Sequence, residues 1–448
     1  MMARKMAPLG VRFCALLLLL SGCAAPERTA PTGAPPRPFA GDPWPDIRRD
    51  RIHRLLPEAM DRAGVDAWIV VCRENNNDPM ARHVGCENAG GQAGFLFFRT
   101  ADGIAPIAIS PQGESTALAE LKEHDEVLVI ERGSGIWDHT RRLLERYGSR
   151  AIAVNTGESP IADGLSHTQY LAMAEGLGPA WMARTTSAEP LIVEWLSVKT
   201  PAEIAIMRRA AELTAQWQQD AYRAAIPGVT TDRDIADMLE ARIAEYGVGD
   251  GWAADQNPAV NSGMDRGHSH PTDRVIQPGD FIQTDFGIMV HGMWVTDIQR
   301  FAYVLAPGET EAPPEAVARW EAARRGSRAA FAAMKPGAMG FEVDAAQRRV
   351  MDEEGSLPVM WSTGHPVGYW AHDMGPSLGG GQPGRTPAGR QRAELRPGMT
   401  FAYDGFFSWP LTDSTTKTIS VEEMVVITET GADWLTPPQE TLLLIPSR

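Results

Sequence analysis

The sequence predicts two domains, an α/β domain at residues 44–194 and an α+β domain at residues 195–448. Three observations support this fold class. Strand-like and helix-like segments alternate in the first region. In the second region a pair of helix-like segments precedes strand-like segments, and this arrangement occurs twice. A chain of 448 residues also exceeds the usual size of one domain.

The N-terminus has the pattern of an export signal. Basic residues precede an apolar run at residues 13–20, which is too short to span a bilayer as a helix. Residues 20–23 are Leu-Ser-Gly-Cys and resemble a bacterial lipobox, so we expect removal of residues 1–22 and lipidation of Cys23. The alternative is an ordinary secretory signal with an incidental cysteine.

The mature N-terminus and the charge restrict the partners. Residues 23–43 are rich in Pro, Ala and Thr and predict an extended tether. Ala24 follows Cys23, and the resemblance to sorted lipoproteins then implies the outer membrane, with the protein facing the periplasm. The net charge of −15 becomes −18 when three basic residues leave with the signal, which argues against nucleic-acid binding. We expect membrane contact only through the lipid.

The first folded region has an α/β pattern without a catalytic motif. The predicted strands are residues 67–71, 95–98, 105–109, 127–130 and 151–154, and the predicted helices are residues 115–123, 138–147 and 166–175. Cys72 and Cys86 lie in this region, and an oxidising compartment would permit a disulfide. Their spacing leaves a disulfide and two free thiols equally open.

The second region contains a repeated helical arrangement. Thr200-Pro201-Ala202-Glu203 is a capping-box sequence that predicts the start of a long helix ending near residue 225. A second helix is predicted from residue 231 to about 247, and a second helix pair from about 314 and from 342 to 354. Strand-like segments with acidic or imidazole side chains follow each pair, which indicates an internal duplication.

Five such residues form the candidate site, namely Asp285, Asp297, His365, Asp404 and Glu422. A turn at residues 291–292 predicts a hairpin with the first two aspartates directly opposite each other, where like charges destabilise unless a cation lies between them. Exposed aspartates on a solvent face are the alternative. Carboxylates with one imidazole suit a pair of divalent ions, with manganese expected and zinc, cobalt or iron also compatible.

These segments resemble the pita-bread metallopeptidases, which include methionine aminopeptidase, aminopeptidase P, prolidase and creatinase. The resemblance covers roughly residues 195–440, and the matching motifs lie at residues 279–287, 296–300, 364–375, 397–401 and 422–428. The His-Asp-x-Gly sequence at residues 372–375 resembles the proline-peptidase branch. The resemblance implies a pseudo-two-fold pita-bread domain, a creatinase-type N-terminal domain and a homodimer.

The same resemblance implies roles for the five residues. Asp285 would ligate one metal ion and His365 the other. Asp297 and Glu422 would bridge the two ions. Asp404 would be both a ligand and the general base, at a position where the family usually has glutamate.

Two further histidines correspond to catalytic positions of the family. His268 corresponds to the substrate-side histidine, and His372 to a histidine that steadies the tetrahedral intermediate. On an extended strand His268 and His270 would point the same way, so the choice of His268 depends on the resemblance. His270 is expected to lie in solvent or behind the ligands.

The sequence thus predicts a two-metal aminopeptidase, similar to Xaa-Pro aminopeptidase, that hydrolyses the N-terminal bond of short peptides. Trp361 and Ser420 replace a histidine and an arginine that are common in the proline-peptidase signature. Two alternatives remain, a creatinase-like hydrolase of small C–N compounds and a non-catalytic binding lipoprotein.

Replacement of Cys23 by serine tests the lipid anchor, because serine cannot accept the thioether-linked lipid. We expect the wild type in the outer-membrane fraction and Cys23→Ser without incorporated lipid and outside that fraction. Cys72→Ser is the matched control and should behave as the wild type does. Lipid labelling of Cys23→Ser at the wild-type level would contradict the assignment.

Overall fold

The N-terminal region is a mixed sheet covered by helices. The computed structural model of the protein describes residues 38–86 and 91–447. Two short helices joined by a π-helical turn begin the fold, namely α1 (Trp44–Asp50), the turn Arg51–Leu55 and α2 (Leu56–Ala63). The sheet strands are β1 (Ala67–Arg73), β2 (Gln92–Thr100), β3 (Gly103–Pro111), β4 (Glu126–Ile130), β5 (Ile152–Val154) and β6 (Thr185–Ser187).

The order of these strands is β4-β3-β2-β1-β5-β6. Antiparallel pairs join β1, β2 and β3, whereas β4, β5 and β6 add in parallel to their neighbours. The helices of this region are α3 (Glu114–Leu121), α4 (Trp137–Tyr147), α5 (His167–Leu177), α6 (Pro179–Met182) and α7 (Glu189–Ser197). All predicted strands and helices of the region are therefore confirmed, with small shifts at their ends.

The C-terminal region consists of two helix pairs and three small sheets. The helices are α8 (Pro201–Ala224), α9 (Asp232–Tyr246), α10 (Pro314–Ala333) and α11 (Gly340–Glu354), with a 3-10 turn at Gly389–Arg392. The first strands are β7 (Gly249–Asp250), β8 (Ala259–Ser262), β9 (Phe281–Phe286), β10 (Ile288–Val290), β11 (Trp294–Val295) and β12 (Ile298–Val304). The last are β13 (Gly364–Pro366), β14 (Thr400–Thr412), β15 (Thr415–Ile427), β16 (Ala432–Trp434) and β17 (Leu443–Ile445).

The capping box predicted at the start of α8 is present. The Thr200 hydroxyl accepts a hydrogen bond from the Glu203 backbone N–H at 3.3 Å, and the Glu203 carboxylate accepts one from the Thr200 N–H at 2.7 Å. These two bonds satisfy backbone donors that the first helical turn would otherwise leave free.

Two four-stranded sheets repeat the same plan. Their strand orders are β8-β9-β12-β17 and β13-β14-β15-β16, and each follows a helix pair in the sequence. Helices α8 and α9 contact the first sheet, whereas α10 and α11 contact the second. The halves differ at the outer edge, because β17 is parallel to β12 and β16 is antiparallel to β15. The predicted internal duplication is therefore visible in the strand order.

The hairpin that carries Asp285 has a different register from the predicted one. The turn does lie at His291-Gly292, where both residues have positive φ angles of 53° and 60°. However, Asp285 pairs with Gln299, not with Asp297. The predicted direct opposition of the two aspartates is thus wrong, because the turn is centred on Gly292, one residue beyond His291, and each cross-strand partner therefore lies two residues further along the chain. Asp297 is a diagonal neighbour on the same face.

One hydrophobic cluster extends across the boundary between the two predicted domains. The predicted boundary after residue 194 lies inside α7, and one hydrophobic cluster includes side chains from both sides of it, such as Trp44 and Trp294. A buried ion pair also joins them, since Arg51 contacts the Glu203 carboxylate at 2.8 Å and both side chains are fully buried. Tyr369, from the loop that carries His372, donates to the same carboxylate.

Several sequence predictions concern the N-terminus or the cysteines. The signal at residues 1–22, the lipid acceptor Cys23 and the tether up to residue 37 lie outside the described residues. Within residues 38–86 and 91–447 no helix has the length and hydropathy of a membrane span. Cys72 and Cys86 are buried free thiols in the structure. Of the two alternatives, a disulfide and two free thiols, the structure therefore shows the second.

The Arg51–Glu203 pair predicts a large mutational effect. Glu203→Gln keeps the shape of the side chain and leaves the buried Arg51 charge without its partner, so we expect the free energy of unfolding to fall by about 3–5 kcal/mol. Denaturant titration measures this change. Glu212→Gln is the control, because its pair with Arg209 is exposed and should contribute little. An equally small loss for both variants would contradict this role of the pair.

Candidate metal centre

The predicted ligands lie on neighbouring strands of the two four-stranded sheets. Asp404 on β14 lies directly opposite Glu422 on β15. Asp285 lies on β9, and Asp297 immediately precedes β12. All four carboxylates are almost fully buried, with 6 % or less of their surface exposed. The strands therefore hold four acidic side chains inside the protein.

His365 completes the cluster. Its Nε2 atom lies 3.8 Å from Asp297 Oδ2 and 3.7 Å from Glu422 Oε1, and the three ligand atoms lie within 4.8 Å of one another. Its Nδ1 atom lies 3.2 Å from the Pro366 carbonyl oxygen, which can only accept. A proton on Nδ1 leaves the Nε2 lone pair directed at the carboxylates, which is the arrangement of a metal-binding histidine.

The electrostatics of the cluster are unfavourable without a cation. Burial raises the pKa of Asp297 well above its ordinary value, and the charges of Asp285 and Asp404 raise it further. Burial likewise raises the pKa of Glu422, and the charge of Asp297 makes the next largest contribution. Loss of water contact and the adjacent His372 lower the pKa of His365 to about 3, so this imidazole is neutral. A divalent cation would offset the repulsion among the carboxylates.

Unpaired oxygen atoms support the same conclusion. Asp285 Oδ1, Asp404 Oδ1 and Glu422 Oε2 are buried and have no hydrogen-bond partner among the described residues. Buried polar atoms normally have a partner, because an unpaired one costs free energy. Oxygen-rich ligands with one imidazole suit manganese, iron, cobalt or zinc. The residues present thus fit the metal pair that the sequence predicts.

The two predicted catalytic histidines lie at the edge of the cluster. His268 Nδ1 is 3.8 Å from Asp285 Oδ2, and its side chain is 75 % exposed. The His372 ring packs edge-on against His365, with ring centroids 4.2 Å apart. Partial loss of water contact lowers the pKa of His372, with smaller contributions from His268 and Arg390. Both imidazoles can therefore contact a ligand that enters from solvent.

His270 does not lie beside His268 in the predicted way. Residues 263–272 form an irregular loop, not an extended strand. His270 Nδ1 lies 2.9 Å from the Asp255 carbonyl oxygen. The expectation that His270 is not at the ligands agrees with this contact, whereas the extended strand on which His268 and His270 would point the same way is not present.

Gln299 is a residue of the site that the sequence did not predict. Its amide donates to Asp285 Oδ2 at 3.4 Å, and its carbonyl oxygen accepts from Ser420 Oγ at 2.7 Å. Gln299 therefore orients the Asp285 carboxylate. The sequence could have indicated Gln299, because it lies two residues after Asp297 and its side chain points to the same face. The predicted register instead placed Asp297 opposite Asp285.

Comparison with known proteins shows what the chain is similar to. Residues 205–429 match the model of metallopeptidase family M24. The Mycobacterium tuberculosis protein named "Probable dipeptidase PepE" is 26% identical over 302 residues, which is 66% of this chain and 73% of that protein. The Xaa-Pro dipeptidase of Pyrococcus furiosus is 26% identical over 258 residues, with 55% and 65% covered.

Solved structures match nearly the whole fold. An Xaa-Pro dipeptidase from Bacillus anthracis gives a TM-score of 0.63 at 20% identity, covering 89% of this chain and 99% of that one. An X-Pro aminopeptidase from Thermotoga maritima gives 0.62 at 20% identity, with 87% and 100% covered. The predicted pita-bread fold with its preceding α/β domain is confirmed by these matches.

Removal of one carboxylate should relieve the repulsion in the metal-free protein. We expect Asp297→Asn, stripped of metal by a chelator, to have a higher melting temperature than the stripped wild type. Added Mn²⁺ should raise the melting temperature of the wild type and have a smaller effect on Asp297→Asn, because binding to the folded state stabilises it. Thermal unfolding with and without Mn²⁺ measures both effects.

Asp413→Asn is the matched control, since Asp413 is exposed in the β14–β15 turn. It should behave as the wild type does in both conditions. A melting temperature of the wild type that does not respond to any divalent ion would contradict the metal centre.

Proposed function

The chain belongs to metallopeptidase family M24, whose enzymes use divalent metal ions, and we propose that it is an aminopeptidase that hydrolyses the N-terminal bond of short peptides, Xaa-Pro peptides among them. The observation that carries this proposal is the cluster of Asp297, His365 and Glu422, whose ligand atoms lie within 4.8 Å of one another, together with unpaired buried oxygen atoms on Glu422 and on the neighbouring Asp285 and Asp404. Relatives named as dipeptidases, as Xaa-Pro dipeptidase and as methionine aminopeptidase support small peptides with a free N-terminus.

The metal ions and their ligands have separate tasks in this proposal. Two divalent ions, which we propose to be Mn²⁺, would supply a Lewis acid for the scissile carbonyl and lower the pKa of water. Asp285, Asp297, His365, Asp404 and Glu422 would hold them. Because these side chains come from packed strands, they keep their positions when substrate enters.

Asp404 is the proposed general base. Its Oδ1 atom has no partner among the described residues, and its strand position faces Glu422. The carboxylate accepts a proton from the attacking water and returns it to the leaving nitrogen. Aspartate is one methylene shorter than the glutamate usual in the family, so its carboxylate reaches less far from β14 than a glutamate would.

The two edge histidines contact the substrate in this mechanism. His372, neutral because its pKa is lowered, donates an N–H to the oxygen that gains charge in the transition state. His268, on the exposed side of Asp285, holds the peptide backbone. Both positions face solvent, from which a short peptide would enter.

Export, anchoring and assembly extend the proposal. We propose a lipoprotein that acts on peptides in the periplasm and is held at the outer membrane through Cys23, as the sequence pattern at residues 1–23 indicates. The homodimer also remains a proposal, supported by the family resemblance.

Asp404→Asn tests the proposed base. The amide cannot accept the proton of the water, so we expect kcat for dipeptides to fall by about 100-fold or more. The measurement uses Mn²⁺-loaded protein, a dipeptide panel that includes Ala-Pro and Ala-Ala, and metal analysis of each variant. Asp404→Glu should retain activity and Asp413→Asn should match the wild type.

Three outcomes would overturn the proposed function or its base. Wild-type turnover that survives complete chelation would instead favour creatinase-like chemistry. Bound metal without turnover of any peptide would exclude the peptidase assignment. Asp404→Asn with wild-type kcat and metal content would exclude Asp404 as the base.

A further inference from the structure

Two exposed apolar side chains lie just before the strand that carries His365. Met360 is 88% exposed and Trp361 is 49% exposed. Exposed single apolar residues are ordinary, but adjacent large ones beside a reacting centre indicate a contact surface. Trp361 precedes His365 by four residues, so the Trp361 Cα lies within about 14 Å of the His365 Cα.

A buried ion pair fixes the backbone of these two residues. Arg348 on α11 donates to the Val359 carbonyl at 3.0 Å and to the Trp361 carbonyl at 2.6 Å. Its guanidinium also contacts Asp344 at 2.9 Å, and that carboxylate accepts from the Thr363 hydroxyl at 2.7 Å. Hydrogen bonds from Arg348 therefore hold the backbone on both sides of Met360. The fold itself keeps Trp361 in its exposed position.

The Trp361 ring lies against the strand of the proposed base. It packs edge-on over Phe406, with ring centroids 5.8 Å apart and an interplanar angle of 83°. Phe406 follows Asp404 by two residues, so the two side chains share a face of β14 and lie about 7 Å apart along it. The exposed Trp361 indole thus lies between solvent and the face of β14 that carries Asp404.

The side chain opposite Phe406 and its hydrogen-bond partners are uncharged. Ser420 lies opposite Phe406 in the β14–β15 ladder. Its hydroxyl donates to Gln299 at 2.7 Å and accepts from the Gln283 amide at 3.1 Å. Because these polar groups satisfy one another, an apolar side chain placed over them leaves no buried donor or acceptor unpaired.

We propose that Met360 and Trp361, with the buried Phe406 packed behind the indole, form an apolar subsite that selects peptides with a large apolar side chain next to the cleaved bond. The inference rests on the proposed peptidase function and names the specificity of that same site. The fixed segment places the indole before substrate arrives, so little conformational entropy is lost when an apolar side chain packs against it. Trp361 is a specificity-determining residue and takes no part in proton transfer.

The test compares dipeptides that differ in one side chain. Two series, Xaa-Ala and Ala-Xaa with Xaa as Ala, Leu or Phe, identify which side of the bond meets the indole. We expect the Mn²⁺-loaded wild type to prefer Phe over Ala by about tenfold in kcat/KM in one series. Trp361→Ala should reduce that ratio to about twofold or less, whereas Trp361→Phe should keep most of it. The dissociation constants of the same dipeptides with metal-free protein, measured by calorimetry, should follow the same order.

Leu171→Ala is the matched control, because Leu171 is 54% exposed on α5, outside the metal centre. It should preserve the wild-type ratio. Turnover by the wild type with equal kcat/KM for Ala and Phe in both series would overturn the subsite and leave the peptidase function standing. A uniform loss for all peptides in Trp361→Ala would also overturn it. Selective binding of Phe dipeptides without any turnover would support the subsite and overturn the peptidase function.

Discussion

Repulsion among four buried carboxylates is the constraint that the rest of the C-terminal region must meet. Asp285, Asp297, Asp404 and Glu422 are taken out of water next to one another, and burial raises the pKa of each. Isolated buried charges are costly, and such groups in proteins are normally paired or bound to metal. A neutral imidazole at His365 adds a ligand without adding charge of either sign.

The fold brings these groups together by using one plan twice. In each half a helix pair covers a sheet, and the acidic residues lie on the two central strands or, for Asp297, immediately before one of them. On the other face of β15, Glu423 pairs with Arg300 at 3.0 Å and lies 3.6 Å from Arg324. Because side chains alternate along a strand, Glu423 points to the two arginines and forms a buried ion pair. Glu422 points to the opposite face, where a cation would offset its charge.

The sequence predicted what depends on local periodicity and missed what depends on exact pairing. The capping box predicted the start of α8, and the predicted strands and helices of residues 44–194 were also correct. The register of the hairpin after β9 was predicted wrongly, because the turn is centred on Gly292 and not on His291, which shifts every cross-strand partner by two residues. Gln299 was therefore missed. The setting of Trp361 depends on Arg348 and Phe406, which are distant in sequence, so no local pattern could reveal it.

Anomalous diffraction from crystals grown with Mn²⁺ would locate the metal ions in the carboxylate cluster. We expect two manganese peaks there, with Asp297 and Glu422 in contact with both ions, Asp285 bound to one ion and His365 to the other. A saturating concentration of Mn²⁺ that leaves the cluster without an anomalous peak, or peaks only at surface carboxylates, would contradict it.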